Sequence, residues 1–132
     1  MVELTEKARE FLSKPNFAAL ATLMKDGSPQ VSAMWVHLDD GYVIVNTALG
    51  RLKEKNMRRD ARVAVTVTDR ENPYDKVTIR GLVVEFIEGE AAEKMIDFLS
   101  KKYVGQDPYP WRAPGERRVT LRIEPTAVSD ER

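Results

Sequence analysis

The chain has 132 residues, 42% hydrophobic and 32% charged, with 21 basic and 21 acidic side chains and a formal net charge of zero. That length suffices for one domain over residues 1–132 without covalent staples, and the charge balance argues against nucleic acid or an acidic membrane as partner. Cysteine is absent and His37 is the only histidine, which excludes disulfides, iron–sulfur ligation, a thiol nucleophile and a multi-histidine metal site.

Leu4, Ala8, Phe11 and Leu12 recur at helical spacing behind Thr5, a capping residue, and predict a helix over 4–13 that Pro15-Asn16 stops. The charged character of this helix is not that of a signal sequence, and no apolar run approaches membrane-spanning length, so a cytoplasmic protein without membrane contact is expected. Phe17 to Met24 is apolar on both faces and reads as a strand covered on both sides. Lys25-Asp26-Gly27-Ser28 makes a hairpin turn into a second strand, Gln30 to Leu38. On it Val31, Ala33 and Trp35 point one way and Ser32, Met34 and Val36 the other. Asp39-Asp40-Gly41 turns the chain again into Tyr42-Val43-Ile44-Val45, so the first three strands form an antiparallel meander.

The third strand ends in Asn46 and Thr47, and Gly50 leads into a short basic helix. Between Arg51 and Arg62 six Lys/Arg face only Glu54 and Asp60. Amide, hydroxyl and cationic groups delivered to a helix start suit a phosphate, because free backbone N–H groups and the helix dipole favour an anion there. The competing reading is a solvated basic helix between two strands. Leu49, Leu52 and Asn56 fall on one stripe, so the Asn56 amide is expected to tie the helix to a neighbouring loop or strand. Val63, Val65 and Val67 mark the next strand, Ala61 to Thr68, and Asn72-Pro73 a turn. Asp75 to Glu88 is a long strand whose apolar phase changes at Gly81, the signature of a bulge or bend. Ala92, Met95, Ile96, Leu99 and Tyr103 mark a second amphipathic helix. A loop from Val104 to Arg117 carries Tyr109, Trp111 and three prolines, and Arg118 to Glu124 closes the chain with Val119, Leu121 and Ile123 inward. Six strands, mostly antiparallel, with peripheral helices define a mainly β (α+β) fold, and the bend at Gly81 favours a small closed barrel.

No recognised catalytic motif is present, His37 reads as a surface residue, and the catalytic residues stay unassigned. Any reactivity must then come from a bound cofactor, with the protein supplying shape and a phosphate grip.

The string Gly50-Arg-Leu-Lys-Glu-Lys-Asn-Met-Arg-Arg-Asp-Ala-Arg62 resembles a signature of the pyridoxamine-phosphate-oxidase-like split β-barrel family, closest to its flavin/deazaflavin-dependent oxidoreductases. Phe17-Ala-Ala-Leu-Ala-Thr, Asp26-Gly-Ser-Pro-Gln-Val-Ser and Arg118-Val-Thr-Leu-Arg-Ile-Glu-Pro agree with it, in order along nearly the whole chain. The resemblance implies a six-stranded antiparallel split β-barrel of the FMN-binding type and a homodimer with cofactor at the subunit interface. It implies that Ser32, Met34, Trp35 and Val36 line the cofactor ring and tail. Asn46, Thr47, Arg51, Lys53 and Asn56 match the phosphate-binding segment, and the Pro-rich loop around Tyr109 to Arg112, with Trp111, would approach the ring from the second subunit. Members that oxidise pyridoxamine phosphate carry basic residues on the strand equivalent to Gln30–Val36, where this chain has none. Its positive charge lies on the following helix, which resembles the deazaflavin (coenzyme F-420) branch, with FMN as the other choice. The activity implied is hydride transfer to an unsaturated small-molecule substrate. The alternatives are a flavin carrier and an FMN-dependent relative without classical oxidase activity. A nucleic-acid-binding barrel is disfavoured by the scarcity of aromatics among the basic residues.

Overall fold

Thr5 caps the first helix as its side-chain oxygen accepts the Ala8 N–H at 3.1 Å, and α1 (Glu6–Ser13) buries Ala8, Phe11 and Leu12. The computed structural model describes residues 1–130. Seven strands follow: β1 (Phe17–Leu23), β2 (Pro29–Met34), β3 (His37–Asp39), β4 (Tyr42–Ala48), β5 (Arg62–Thr68), β6 (Lys76–Glu88) and β7 (Arg118–Ser129). Two more helices are α2 (Leu52–Arg59) between β4 and β5, and α3 (Glu90–Val104) between β6 and β7. All strand pairs are antiparallel, in the order β2-β1-β5-β6-β7-β4-β3. The β3–β4 turn places Asp40 at φ 51° and Gly41 at φ 80°, the pair of positive values that a tight two-residue hairpin needs.

The order of strands makes the sheet curl. Its outermost strands, β2 and β3, are joined by only Trp35 and Val36, so both edges must come together. The β6–β7 register slips at two places, one of them between Arg80 and Gly81. A Cβ added at Gly81 would lie 2.5 Å from the Glu124 carbonyl oxygen and 2.7 Å from Ile123 Cγ2, so only glycine admits β7 this closely. The barrel interior is filled by Leu12, Leu20, Val43, Val45, Val65, Ile79, Leu121 and Ile123, all essentially inaccessible. No helix among the described residues is long and apolar enough to cross a membrane.

Three expectations are corrected. The strand expected over Gln30–Leu38 is two strands, which raises the count from six to seven. The break falls at Val36, whose backbone turns from strand neighbours to α3: its N–H donates to the Tyr103 hydroxyl at 3.1 Å and its carbonyl accepts from Lys102 Nζ at 2.7 Å. Secondly, β1 is covered on one face only. Phe17 is 55% exposed, and across the pair Val31 on β2 is 65% exposed. Thirdly, Leu52 opens α2 with its side chain exposed, because Leu49 lies before the helix and the buried positions are Glu54, Asn56 and Met57.

The seam between β2 and β3 yields a first prediction. The Tyr103 hydroxyl also donates to the Asn16 carbonyl at 2.6 Å, and Tyr103 is buried. Tyr103→Phe strands the Val36 N–H in the interior, which costs about 2 kcal/mol. Urea denaturation should show a lower midpoint at unchanged slope. An unaltered midpoint would mean that water replaces the phenol at the seam.

Candidate functional site

The end of β4 and the start of β7 lie side by side, with Asn46 opposite Thr120 and Ala48 opposite Arg118. The Asn46 amide is fully used: Nδ2 donates to the Ala92 carbonyl and to Thr120 Oγ1, each at 3.0 Å, and Oδ1 accepts from Arg118 Nε at 2.9 Å. Arg118, buried at 4% exposure, also pairs through Nη1 with Glu116 at 3.2 Å. The other Glu116 oxygen lies 3.4 Å from Arg51 Nη2. From α2, Lys53 Nζ reaches across to donate to Ser32 Oγ on β2 at 3.1 Å. Lys53 is held below the usual lysine range, by burial first and then by the positive charges of Arg51 and Arg118.

These groups form one end of a cavity of about 320 Å³. Thr47, Asn46, Arg51, Lys53 and Arg118 make the polar end, whereas Met34, Trp35, Ile96, Leu99, Tyr109, Phe17 and Ala33 make the apolar end. Thr47 is 1% exposed and its hydroxyl has no hydrogen-bond partner, which is uncommon for a buried polar atom. The apolar end is built of contacting rings. Trp35 stacks on Tyr103 with centroids 5.3 Å apart and meets the edge of Tyr109 at 6.0 Å.

Tyr109 is held in place by acids of α3. Its N–H donates to Asp97 Oδ1 at 2.8 Å, while Arg112 pairs with Glu93 and Asp97, each at 3.0 Å. Burial tends to raise the Asp97 pKa, but the Tyr109 N–H and Arg112 outweigh it and leave it below the usual carboxylate range. A folded-state pKa below the unfolded one adds stability that is present above about pH 4 and lost as pH falls through the folded value. Asp97→Asn should therefore flatten the acid limb of a thermal-stability profile below pH 4. An unchanged acid limb would remove Asp97 as the clamp on the loop.

Of the residues anticipated from sequence, Met34, Trp35, Asn46, Thr47, Arg51 and Lys53 line the cavity, and Ser32 joins it through Lys53. Three stand apart. Val36 is wholly buried in the barrel core. Asn56 donates to Thr22 Oγ1 at 3.0 Å and accepts from Arg59 Nη2 at 2.9 Å, so it ties α2 to β1, the structural role its place on the helix stripe called for. Trp111 is exposed, with its ring 5.8 Å from that of Tyr109, and it is not part of the cavity wall. His37 is partly exposed, with Nδ1 3.2 Å from Lys102 Nζ and its ring 4.6 Å from that of Phe98. Burial and the Lys102 charge lower its pKa.

The α2 N-terminus also differs from expectation. The Gly50 N–H donates to Glu54 Oε1 at 2.8 Å, so a carboxylate of the chain itself already occupies that position. An anion entering the cavity would meet side-chain cations and the Thr47 hydroxyl foremost. Tyr109, expected with its loop at the ring of a second subunit, lines the cavity of its own chain, and Arg118 was missed as a site residue. Arg118 opens a strand whose inward side chains are apolar, and only its pairing with β4 brings it to the cavity. No cluster of metal-ligating side chains occurs among the described residues.

A mainly β, seven-stranded antiparallel fold that encloses a cavity cationic at one end and aromatic at the other defines a split β-barrel with a ligand-sized pocket. The chain belongs to the pyridoxamine 5′-phosphate oxidase family, whose model matches residues 4–131. Among solved structures, one described as an F420 reductase is 31% identical, superposes with a TM-score of 0.84, and is aligned over 97% of this chain and 100% of its own. A conserved hypothetical protein from Mycobacterium tuberculosis is 26% identical with a TM-score of 0.74, over 97% of this chain and 84% of its own. General Stress Protein 26 from Bacillus anthracis, 18% identical with a TM-score of 0.68 over 93% of this chain and 89% of its own, shares the fold. No curated protein matches the chain in sequence.

Proposed function

We infer that the cavity binds a phosphorylated flavin or deazaflavin and that the protein is a cytoplasmic oxidoreductase acting on an unsaturated small molecule. The observation that carries this reading is the buried, unpartnered Thr47 hydroxyl beside Arg51, Lys53 and Arg118. A phosphate would accept from all four and relieve the mutual repulsion of the cations. Met34, Trp35 and Tyr109 offer an apolar wall to a flat ring system. When bound, the ring supplies the hydride. The chain's part is to orient ring and substrate and to exclude water, since no Asp, Glu or His among the described residues lines the cavity.

Coenzyme F-420 is the first choice of cofactor. β2 carries no cation, the positive charge sits at the start of α2 and on β7, and the F420 reductase is alike over 97% of this chain and 100% of its own. FMN is the second. The lack of a carboxylate or histidine among the described residues that line the cavity equally favours a carrier that holds flavin without turnover, which rapid mixing of the reduced complex with an acceptor would distinguish.

We also propose a homodimer. Phe17 and Ala33 belong to the open apolar face of β1 and β2 and line the cavity as well, so a second copy seated there would complete its wall. Equilibrium sedimentation tests this directly.

Visible-absorption titration with coenzyme F-420 and with FMN is the decisive experiment. Saturable binding of one is expected, and the double variant Arg51→Ala/Lys53→Ala should weaken it about 100-fold, roughly 2.7 kcal/mol for two charge-assisted contacts. Equal affinity in the double variant would sink the phosphate assignment. Failure of both ligands to bind the parent would sink the cofactor reading.

A further inference from the structure

Behind the cationic end of the cavity, outside its wall, lies an acid. The Glu116 side chain is 7% exposed and bridges Arg51 at 3.4 Å and Arg118 at 3.2 Å, the two guanidinium groups that line the site. Nothing about phosphate binding requires this carboxylate, because it repels the anion that the cations attract. Its geometry explains what it does instead. Arg118 is already fixed at Nε by Asn46, so the Glu116 contact at Nη1 leaves the guanidinium no freedom to rotate. Arg51 is half exposed and has no other ion pair among the described residues, so Glu116 is what keeps it at the cavity. Arg51, Lys53 and Arg118 against Glu116 leave two positive charges at this end of the cavity.

We propose that Glu116 sets the affinity and charge selectivity of the cavity, orienting Arg51 and Arg118 while cancelling one positive charge so that a phosphate group is held reversibly. This rests on the phosphate reading above. A net charge of two matches the phosphate monoester of FMN, which carries nearly two negative charges at neutral pH, and exceeds the single charge of the phosphodiester in coenzyme F-420. Neutralising Glu116 leaves three positive charges, and every anion gains in proportion to its own charge.

The test uses two ligand pairs: FMN with riboflavin, and coenzyme F-420 with its phosphate-free deazaflavin alcohol. In Glu116→Gln, the phosphorylated member of the pair that binds should bind more tightly, by about tenfold for a phosphate monoester, with a steeper salt dependence. The phosphate-free alcohol should stay within about twofold, since it carries no charge for Glu116 to repel. Glu116→Asp keeps the charge but is too short to bridge both guanidinium groups, so it should not show the tighter binding expected of Glu116→Gln. If Glu116→Gln weakens the phosphorylated ligand, or shifts both members of a pair alike, Glu116 is a structural brace and the proposal is wrong. A parent protein that prefers neither phosphorylated ligand to its alcohol overturns the phosphate reading, and the proposal with it.

Discussion

Methionine in place of Arg118 should abolish useful binding of the phosphorylated cofactor, by 100-fold or about 2.7 kcal/mol, and lower the melting temperature as well. The two effects have separate causes. Binding suffers because Arg118 is the one cation at the cavity held on two sides, through Nε on Asn46 and Nη1 on Glu116. A pre-oriented guanidinium loses little freedom when a phosphate arrives. Stability suffers because the buried Asn46 oxygen loses its donor and Glu116, at 7% exposure, keeps only the more distant Arg51. About 3 kcal/mol is expected for such a loss, a fall of roughly 10 °C in a chain of this length. Arg118→Lys keeps the charge but cannot hold Asn46 and Glu116 at once, so it should fall between parent and Met in both measurements. Should Arg118→Met melt early yet bind phosphorylated ligand like the parent, Arg118 would be a pin for the β4–β7 pair and nothing more.

Gly81→Val should be the most damaging single change in the barrel. The first added carbon already meets the Glu124 carbonyl oxygen at 2.5 Å and the Glu124 carbonyl carbon at 3.2 Å, and backbone atoms in a paired strand cannot step aside as a flexible side chain does. The β6–β7 pair is the longest in the sheet, and Gly81 sits at one of its two register shifts. Pushing β7 away there would disturb Ile123 and Leu121, both central to the core. A loss of about 4 kcal/mol or more is expected, close to the whole stability of many small domains. Gly81→Ala should cost about 3 kcal/mol and remain measurable by thermal melting. A Gly81→Ala protein that melts with the parent would show that β7 shifts freely at the bulge, and the close approach would then not explain the glycine.

Features with local causes were legible in the chain. Thr5 caps α1 because the N–H that its side-chain oxygen accepts lies only three residues away, and Asp40-Gly41 turns because those residues tolerate positive φ. The phase change at Gly81 was visible because strand side chains alternate with a period of two. Arg51 and Lys53 could be found because their charges stand together in the chain.

What the sequence alone determined, then, was the antiparallel β architecture, the two hairpin turns, the bend and the basic segment after β4. The tertiary structure decided the rest. The strand breaks at Trp35–Val36 because Tyr103, 67 residues further on, takes the Val36 N–H. Arg118 enters the site because Asn46, 72 residues earlier, accepts from its guanidinium. Glu54 and Asn56 turn inward while Leu52 faces solvent, since hydrogen bonds to Gly50 and Thr22 set the rotation of α2. Periodicity reports which residues share a face, but a buried polar group must find its partner wherever the fold places one.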